Sequence, residues 1–570
     1  MAIIIKTIPA VTTQTQTCED YEIPPLGLPG LNTGLSDDDL QESAYELILA
    51  SVLLSRVEVH YVEERKKEKG SKLLSSLRSK KEKHRLQPQL SDKHLELINI
   101  FRVQMQVSEV MNACIMRNLV ALASKGTCGQ IDIPQLVLGL LIGIFKSDFP
   151  TEKYYMQWKS RQVNLLEELL YFSTSLVMNE HKTVGSCLAK IKDTKEWDLM
   201  MSPSQRVEVL SSIRQVASKL SSLPGRFGIM EEMYYWTAAY HLNIRIYEKL
   251  LYCVFDILDE GQLIEEADAI LYQIKPTWST LGITQKIHNA LYGWVLFKQF
   301  VVTDEGLLLE HAVMELQKVI SAEEDDAKEC LYINSLVCTQ HYNGREINVS
   351  LVEAILLSIR NWCDSNLQDY HLHFCREPRN FSRVMSLVST IGIHIVDDSE
   401  IKLVRLDALN GDASERIKTY VERSIEAACM RAGDIRNLEL KAQRIHPLAL
   451  LANELRLVAK RELNVFGPVL RDFFPDCMTI SAMLVHKFYG ERLRPFLRGV
   501  SSLSEDVRSV LPAADMLDQD LTQLYNSVEQ NKLHSPLYQN LDHYKAMIVE
   551  FDFGPPKHFC LKVFFCLLNL

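Results

Sequence analysis

The chain has 570 residues, of which 47% are hydrophobic and 24% are charged, so its composition is that of a globular protein and excludes a largely disordered chain. This length exceeds what one hydrophobic core needs, and we expect several packed units. A net charge of −11 gives no support to general nucleic-acid binding, so any anionic partner must be met by a local basic segment.

The cysteines and the apolar runs favour a cytoplasmic protein. Thirteen cysteines are scattered along the chain without a Cys-x-x-Cys pair, and we interpret them as reduced, buried thiols. Residues 1–10 lack the apolar core of a secretory signal. The apolar runs at 136–145 and 559–570 are both too short to cross a bilayer, which takes about 20 residues.

The N-terminal part divides into a leader, a helix and a basic linker. Residues 1–35 are rich in Thr, Pro and Gly and predict a flexible, disordered leader. Ser36 and three following aspartates are typical of a helix start, and we predict an amphipathic helix over 36–55. Its inner face holds Leu40, Ala44, Leu47, Ser51 and Leu54.

Residues 56–90 are predicted to form a charged basic linker. Between Arg56 and Arg85 the chain carries eleven Lys or Arg against five Glu. Two interpretations stay open: a solvated linker, and a contact with anionic lipid headgroups. In the second, the membrane-facing charges are Lys66, Lys67, Lys80 and Lys81.

Apolar residues spaced three and four apart predict helices over most of the remaining chain. We divide it into helical bundle regions at 91–225, 226–375 and 412–535, with an irregular connection at 376–411 and an atypical C-terminal tail at 536–570. The predicted fold class is therefore all-α, built as an elongated stack of antiparallel helical bundles.

Several helices have clear boundaries in the sequence. Ser202-Pro203-Ser204-Gln205 combines a capping residue, a first-turn proline and the Gln of a capping box. The spacing of apolar residues predicts further helices at 307–320, 350–363, 413–430, 448–466, 479–489 and 514–530. The one strand-like stretch of note is 391–406, which is too isolated to imply a sheet.

No motif in the sequence nominates a catalytic, cofactor or small-molecule site. The run from Gly139 to Ser147 has the wrong spacing for a phosphate loop, and no zinc-protease or nucleophile-elbow motif occurs. His371, His373 and Cys375 alternate and would share one face of an extended segment, but a fourth zinc ligand is lacking. We predict a protein without catalysis, cofactor or stoichiometric zinc.

A second basic patch surrounds Tyr489 and Gly490. It contains Lys487, Arg492, Arg494 and Arg498, with Glu491 as its only acid. Arg492 and Arg494 are the residues that we expect to contact anionic lipid or an acidic helix of a partner. A solvated helix end is the alternative.

Seven segments resemble the plant branch of the unc-thirteen (Munc-type) homologues, which carry a MUN domain. The resemblance spans residues 35–530. Its motifs are LSDDDLQESAYE at 35–46, TCGQIDIP at 127–134, FKSDFP at 145–150 with YMQW at 155–158, YWTAAYHLNIRIYEK at 235–249, WSTLGIT at 278–284, HPLALLANELR at 446–456 and GVSSLSED at 499–506.

The resemblance implies a function in vesicle tethering and priming during exocytosis. It implies a helical stack similar to the rods of tethering complexes, with SNARE proteins and tethering subunits as partners and peripheral association with the plasma membrane or transport vesicles. Family members are longer and carry two Munc-homology regions toward their C-terminal ends. This chain resembles the N-terminal half, and a truncated isoform and an incomplete gene prediction both remain open. A helical scaffold of a soluble complex without a membrane role is the alternative function.

Overall fold

The fold is described from a computed structural model. It describes residues 28, 31, 33–67, 92–123, 133–171, 176–221, 233–255, 263–321, 337–342, 345–397, 413–434, 445–499 and 504–526. The side chains of 54–67 and 233–240 are outside this description. Most of the predicted leader and the whole predicted tail at 536–570 also lie outside the described residues.

Internal packing divides the chain into two compact units. The larger unit comprises Leu28–Ile359 and Arg379–Asn410, and the smaller one contains Arg360–Pro378 and the chain from Gly411 onward. The helices of the first 321 residues are α1 (Asp37–Lys67), α2 (Asp92–Gln104), α3 (Glu109–Ala123), α4 (Ile133–Gly143), α5 (Glu152–Leu166), α6 (Met178–Lys192), α7 (Pro203–Ser221), α8 (Met233–Phe255), α9 (Leu263–Ile274), α10 (Trp278–Leu281), α11 (Gln285–Thr303) and α12 (Gly306–Ser321).

The remaining elements begin with a hairpin of β1 (Val337–Tyr342) and β2 (Arg345–Ser350). The helices that follow are α13 (Leu351–Leu367), α14 (Tyr370–His373), α15 (Pro378–Asp397), α16 (Ala413–Ala432), α17 (Pro447–Arg461), α18 (Gly467–Phe473), α19 (Cys477–Arg498) and α20 (Glu505–Asn526). Short π-helical turns occur at Glu167–Tyr171, Lys195–Met200 and Glu462–Phe466. The predicted all-α fold class is confirmed, with this one hairpin as an addition.

Helix α1 lies in the interior of the larger unit. Every residue from 43 to 53 is buried, and the helix packs against α2, α3, α4 and α8. The sequence of this stretch explains its position, because it is apolar on all sides apart from Glu46 and small hydroxyl residues. A helix that is hydrophobic all round needs neighbours on every side.

The prediction of an amphipathic helix over 36–55 followed by a linker over 56–90 needs two corrections. The helix has no solvent face between 43 and 53, and its backbone continues to Lys67. The residues after 55 are good helix formers such as Glu, Arg and Lys, so high charge does not end a helix there. Residues 68–91 lie outside the described part of the chain.

Local capping signals in the sequence define helix starts. At α1 the backbone N–H of Asp39 donates to Ser36 Oγ and that of Ser36 donates to Asp39 Oδ2, both over 3.2 Å. At α7 the Ser202 N–H donates to Gln205 Oε1 over 2.9 Å, as the capping-box prediction requires. Ser350 and Glu353 form the same arrangement at α13.

The strand-like prediction over 391–406 is wrong where it can be compared. Residues 391–397 belong to α15, so part of the predicted irregular connection at 376–411 is helical as well. Ile391 is fully buried in that helix. Val384, Leu387 and Ile391 of this strongly amphipathic helix are buried, and tertiary packing of this face overrides the strand propensity of the β-branched residues. The strands occur instead at β1 and β2, paired antiparallel with Val337 opposite Ser350.

The smaller unit is a helical bundle built mainly from α16 to α20. Helix α17 packs against α20, α16 packs against α19, and α19 also contacts α17 and α20. The short segment with α14 packs on α16. No helix in the described part of the chain combines the length and apolarity needed to cross a membrane.

Candidate functional site

Helix α19 carries the basic residues that the sequence singles out. Its inward face holds Val485, Tyr489, Leu493 and Leu497, spaced four apart and all buried. Met483, Lys487, Glu491 and Arg498 are exposed on the opposite side. Because α19 packs against α16, α17, α18 and α20 with its buried face, the second face is its exposed surface.

The structure separates the two predicted contact residues, Arg492 and Arg494. Positions two apart on an α-helix differ by about 200° of rotation, so these side chains leave α19 on nearly opposite flanks. The Arg492 guanidinium lies over the Phe488 ring, 3.6 Å from its centroid, and Nη1 donates to the Phe488 carbonyl over 3.0 Å. Arg494 instead shares its side of the helix with Lys487 and Arg498. These three residues are the basic stripe.

The residues of the basic stripe form no ion pair among the residues that the structure describes, although Glu491 shares their side of α19. No carboxylate oxygen there lies within 4.0 Å of Lys487, Arg494 or Arg498. Two other cations of the smaller unit are paired: Arg456 Nε lies 2.7 Å from Asp520 Oδ2, and Arg431 pairs with Asp369. The stripe is therefore a locally positive surface on a chain whose net charge is negative.

The other predicted contact residues are not assembled into a site by the structure. Lys66 and Lys67 end the backbone of α1, but their side chains are outside the described set. Lys80 and Lys81 lie outside the described residues altogether. The membrane role assigned to all four stays a prediction.

The histidines of the alternating His371, His373 and Cys375 pattern lie in the helical turn α14 rather than in an extended segment. His371 Nε2 is 2.8 Å from Glu462 Oε1, Tyr370 OH donates to the same oxygen over 2.6 Å, and Ser481 Oγ donates to Oε2 over 3.3 Å. Cys375 is exposed and its Sγ donates to the Leu372 carbonyl. Within the described residues no three His, Cys, Asp or Glu side chains are grouped to hold a metal ion.

Glu462 is therefore the centre of a buried polar cluster that sequence reasoning missed. Its side chain is 0% exposed, and it lies in the π-helical turn between α17 and α18. It joins α14 and α19 to that turn through Tyr370, His371 and Ser481. Nothing in its local sequence marks it, since charged residues are common in helices.

A second buried cluster surrounds Glu46 on α1. Its Oε1 accepts from Arg161 Nη2 over 2.9 Å and from Trp158 Nε1 over 3.2 Å, and its Oε2 accepts from Gln162 Nε2 over 2.9 Å. Here a signal did exist, because Glu46 is the one charged residue in the apolar run from 43 to 53. A lone charge in such a run predicts a buried partner.

A third cluster joins α8, α10 and α11. Trp278 Nε1 donates to Tyr247 OH over 2.8 Å, and this hydroxyl lies 2.7 Å from His288 Nδ1. Burial, followed by the charges of Lys318 and Lys275, lowers the pKa of His288 to about 4. The ring is therefore neutral near pH 7, and its Nδ1 shares one hydrogen bond with the Tyr247 hydroxyl. All three clusters are enclosed and join helices, whereas the basic stripe is open to a partner.

Comparison with known proteins decides the family. The UNC13 third domain matches residues 285–404, a stretch that includes α11, the hairpin and α15. The Protein unc-13 homolog of Arabidopsis thaliana is 36% identical over 529 residues, which cover 91% of this chain. The chain is an UNC13-family homologue. It spans about half of the relative, 47% of its length. No solved structure matches.

Proposed function

We propose that this UNC13-family chain acts in vesicle tethering and priming during exocytosis and so supports delivery of plasma-membrane cargo. The supporting observation is the relationship along 91% of the chain at 36% identity. Its partners would be SNARE proteins and subunits of tethering complexes, and it would work without catalysis. We place it in the cytoplasm, in peripheral contact with the plasma membrane or transport vesicles.

The proposed mechanism is geometric. Bundles of long helices, stacked as in the rods of tethering complexes, offer grooves to amphipathic partner helices. Enclosed polar clusters such as Glu46 with Arg161 fix how the helices pack, which keeps such grooves constant in shape. Binding energy then comes from helix-in-groove contacts, and the work done is to hold two membranes and their SNAREs in proximity.

Basic residues would add contact with anionic surfaces. The proposed set is Lys66, Lys67, Lys80, Lys81, Arg492 and Arg494. Each base near an anionic leaflet contributes about 1 kcal/mol, so several together give useful but reversible attachment. The unpaired charge on α19 supports this role for one part of the set.

The tethering role is tested in plant cells that lack the chain. Delivery of a fluorescent plasma-membrane protein should slow, and re-expression of the chain should restore it. Normal delivery, together with recovery of partners from the cytosol that include neither SNAREs nor tethering subunits, would favour the soluble scaffold instead.

The membrane contact is tested separately with purified chain and vesicles containing phosphatidylserine at low salt. Replacing the six basic residues by Gln should weaken vesicle binding by roughly an order of magnitude or more. Salt screens the attraction between bases and headgroups only weakly under these conditions. Equal binding of wild type and variant would contradict the assignment.

A further inference from the structure

The hairpin of β1 and β2 is a sheet of only two strands in the described part of the chain. The strands pair along their whole length, from Val337 opposite Ser350 to Tyr342 opposite Arg345. Among the described elements, no helix packs extensively on either strand. A two-stranded sheet is only marginally stable in water by itself and needs a further strand or a packed helix. The hairpin therefore has room for a further strand.

The register of the hairpin determines which backbone groups face outward. Two residues separate the strands, so Tyr342 and Arg345 form a pair that exchanges backbone hydrogen bonds. Such pairs alternate along an antiparallel ladder, and the alternation turns the N–H of Ser350 away from β1. This N–H indeed donates to Glu353 Oε2 over 2.9 Å.

The outer edge of β1 consists of the backbone groups of Val337, Thr339 and His341. By the same alternation, these three residues turn their N–H and C=O groups away from β2. The edge is about 13 Å long, at about 3.3 Å per residue. No backbone hydrogen bond joins these groups to another residue that the structure describes.

The two edges of the hairpin differ in how well they are protected against pairing. Edge strands of natural proteins carry charged residues or proline that keep other strands away. The sequence of β1, VCTQHY, contains neither. On β2, Glu346 occupies an outward position and the N–H of Ser350 is already bonded to Glu353. The edge of β1 is therefore the one that can accept a strand.

We propose that the outer edge of β1 pairs with the same edge of a second copy of this chain, antiparallel and centred on Thr339. Thr339 lies opposite Thr339 of the second copy, and Val337 of each copy lies opposite His341 of the other. Each of these three pairs exchanges two backbone hydrogen bonds. The two hairpins then form one four-stranded sheet, which is a stable size.

A second copy fits this edge because β1 is complementary to itself. The outward residues are evenly spaced about Thr339, so a twofold axis at that residue gives every outward group a partner. Since β1 carries no Lys, Arg, Asp or Glu, the pairing brings no like charges together, and opposed threonines are a favourable cross-strand pair. An unrelated strand would find no charge on β1 by which it could be selected. This inference does not depend on the tethering role, and either can fail alone.

Light scattering of the purified full chain after size-exclusion chromatography tests the pairing. The wild type should have about twice the 65.3 kDa mass of one copy. Thr339→Pro removes an outward N–H but no hydrogen bond to β2, and it should weaken dimerisation at least about tenfold. Asn348→Pro is the matched control: it makes the same change on the outer edge of β2 and should alter dimerisation by less than about twofold.

A charge exchange at Thr339 tests the twofold axis without introducing proline. In the Thr339→Lys variant and in the Thr339→Glu variant, like charges lie opposite each other, so each protein alone should dimerise at least about fivefold more weakly than the wild type. An equimolar mixture of the two should recover the dimer, because opposite charges then pair across the axis. Circular dichroism confirms that each variant is folded before masses are compared.

Three results would overturn the proposal. A monomeric wild type would exclude the pairing. Equal losses in the Thr339→Pro and Asn348→Pro variants would show that the edge of β1 has no special role. A mixture of the Lys and Glu variants that stays as monomeric as each alone would show that Thr339 does not lie at a twofold axis.

Discussion

Arg161 and Glu46 form an ion pair enclosed between α5 and α1, with side chains only 2% and 3% exposed. Two contacts join them, Nη2 to Oε1 over 2.9 Å and Nη1 to Oε2 over 3.1 Å. This geometry is bidentate, and Trp158 and Gln162 occupy the remaining acceptor positions of the carboxylate. The pair fixes the rotation of α1 about its axis and its axial position relative to α5, because the two parallel contacts join two planar, rigid groups.

We predict that Glu46→Gln lowers the free energy of unfolding by about 3 kcal/mol, because it leaves the enclosed Arg161 charge with only the half-exposed Glu42 as a counter-charge. Urea unfolding followed by circular dichroism measures the change. Glu42→Gln is the matched control: Glu42 lies 3.0 Å from the same guanidinium but is 50% exposed, so its loss should cost less than about 1 kcal/mol. Similar losses of unfolding free energy in the two variants would show that burial of the pair does not determine its contribution to stability.

Acid sensitivity is predicted at the cluster of His288, Tyr247 and Trp278. Burial lowers the pKa of His288 to about 4, below its ordinary value of about 6.5. Between these values the unfolded chain binds more protons than the folded one, so stability is full above pH 6.5 and falls as the pH drops toward 4. Burial also lowers the pKa of the half-buried His486 to about 4, so this ring contributes in the same window.

Thermal melts between pH 7 and pH 4.5 check this prediction. The His288→Gln variant removes one titrating ring, so its melting temperature should fall less steeply with pH than that of the wild type. Its melting temperature at pH 7 should be lower because the Tyr247 contact is altered. Parallel pH dependence in the two proteins would contradict the assignment.

Substituting two glycines by alanine tests whether the space beside each one is empty or filled. Gly490→Ala should raise the free energy of unfolding by about 1 kcal/mol, since the new methyl group meets no described neighbour and Ala favours the helix. Gly467→Ala should lower it by about 1–3 kcal/mol, because its Cβ would lie 2.6 Å from the Glu462 carbonyl oxygen, which is backbone. Urea denaturation of both variants measures the difference, and a destabilised Gly490→Ala would contradict unfilled space beside this residue.

The stability of the smaller unit should depend on Glu462, because three hydrogen-bonding side chains meet at its carboxylate. Glu462→Ala should destabilise the smaller unit by about 3 kcal/mol or more, because it leaves Tyr370 and His371 without their buried acceptor. Ser481→Ala should cost only about 1 kcal/mol, since its hydroxyl also has the Cys477 carbonyl as an acceptor. Hydrogen exchange at α14 measures the local effect. Unchanged exchange there in the Glu462→Ala variant would exclude a role for Glu462 in holding this segment.

Features set by neighbouring residues could be predicted from the sequence, and features set by distant ones could not. The capping box of Ser202 and Gln205 spans three positions, and the structure has it as expected. The contact between Glu46 and Arg161 spans 115 positions, and no local pattern shows which distant residue pairs with a lone charge.

The same distinction explains the errors at α1 and α19. Periodicity identified an apolar face on α1 correctly, but it does not say how many neighbours a helix has, so full enclosure was missed. Counting charges grouped Arg492 with Arg494, although two positions on a helix place them on opposite flanks. The unfilled space beside Gly490 could be found only from coordinates, because such a space has no signature in a sequence.

The enclosure of α1 has a consequence for the order in which the protein is made. Asp37 at its start pairs with Arg245 on α8, 208 positions later in the chain. At a synthesis rate of about 5–20 residues per second, the ribosome takes about 10–40 s to deliver that partner. During this interval the side of α1 that packs against α8 has no permanent cover, although α2, α3 and α4 have already been made. We therefore expect nascent chains of this protein to require a chaperone at the ribosome until α8 has emerged.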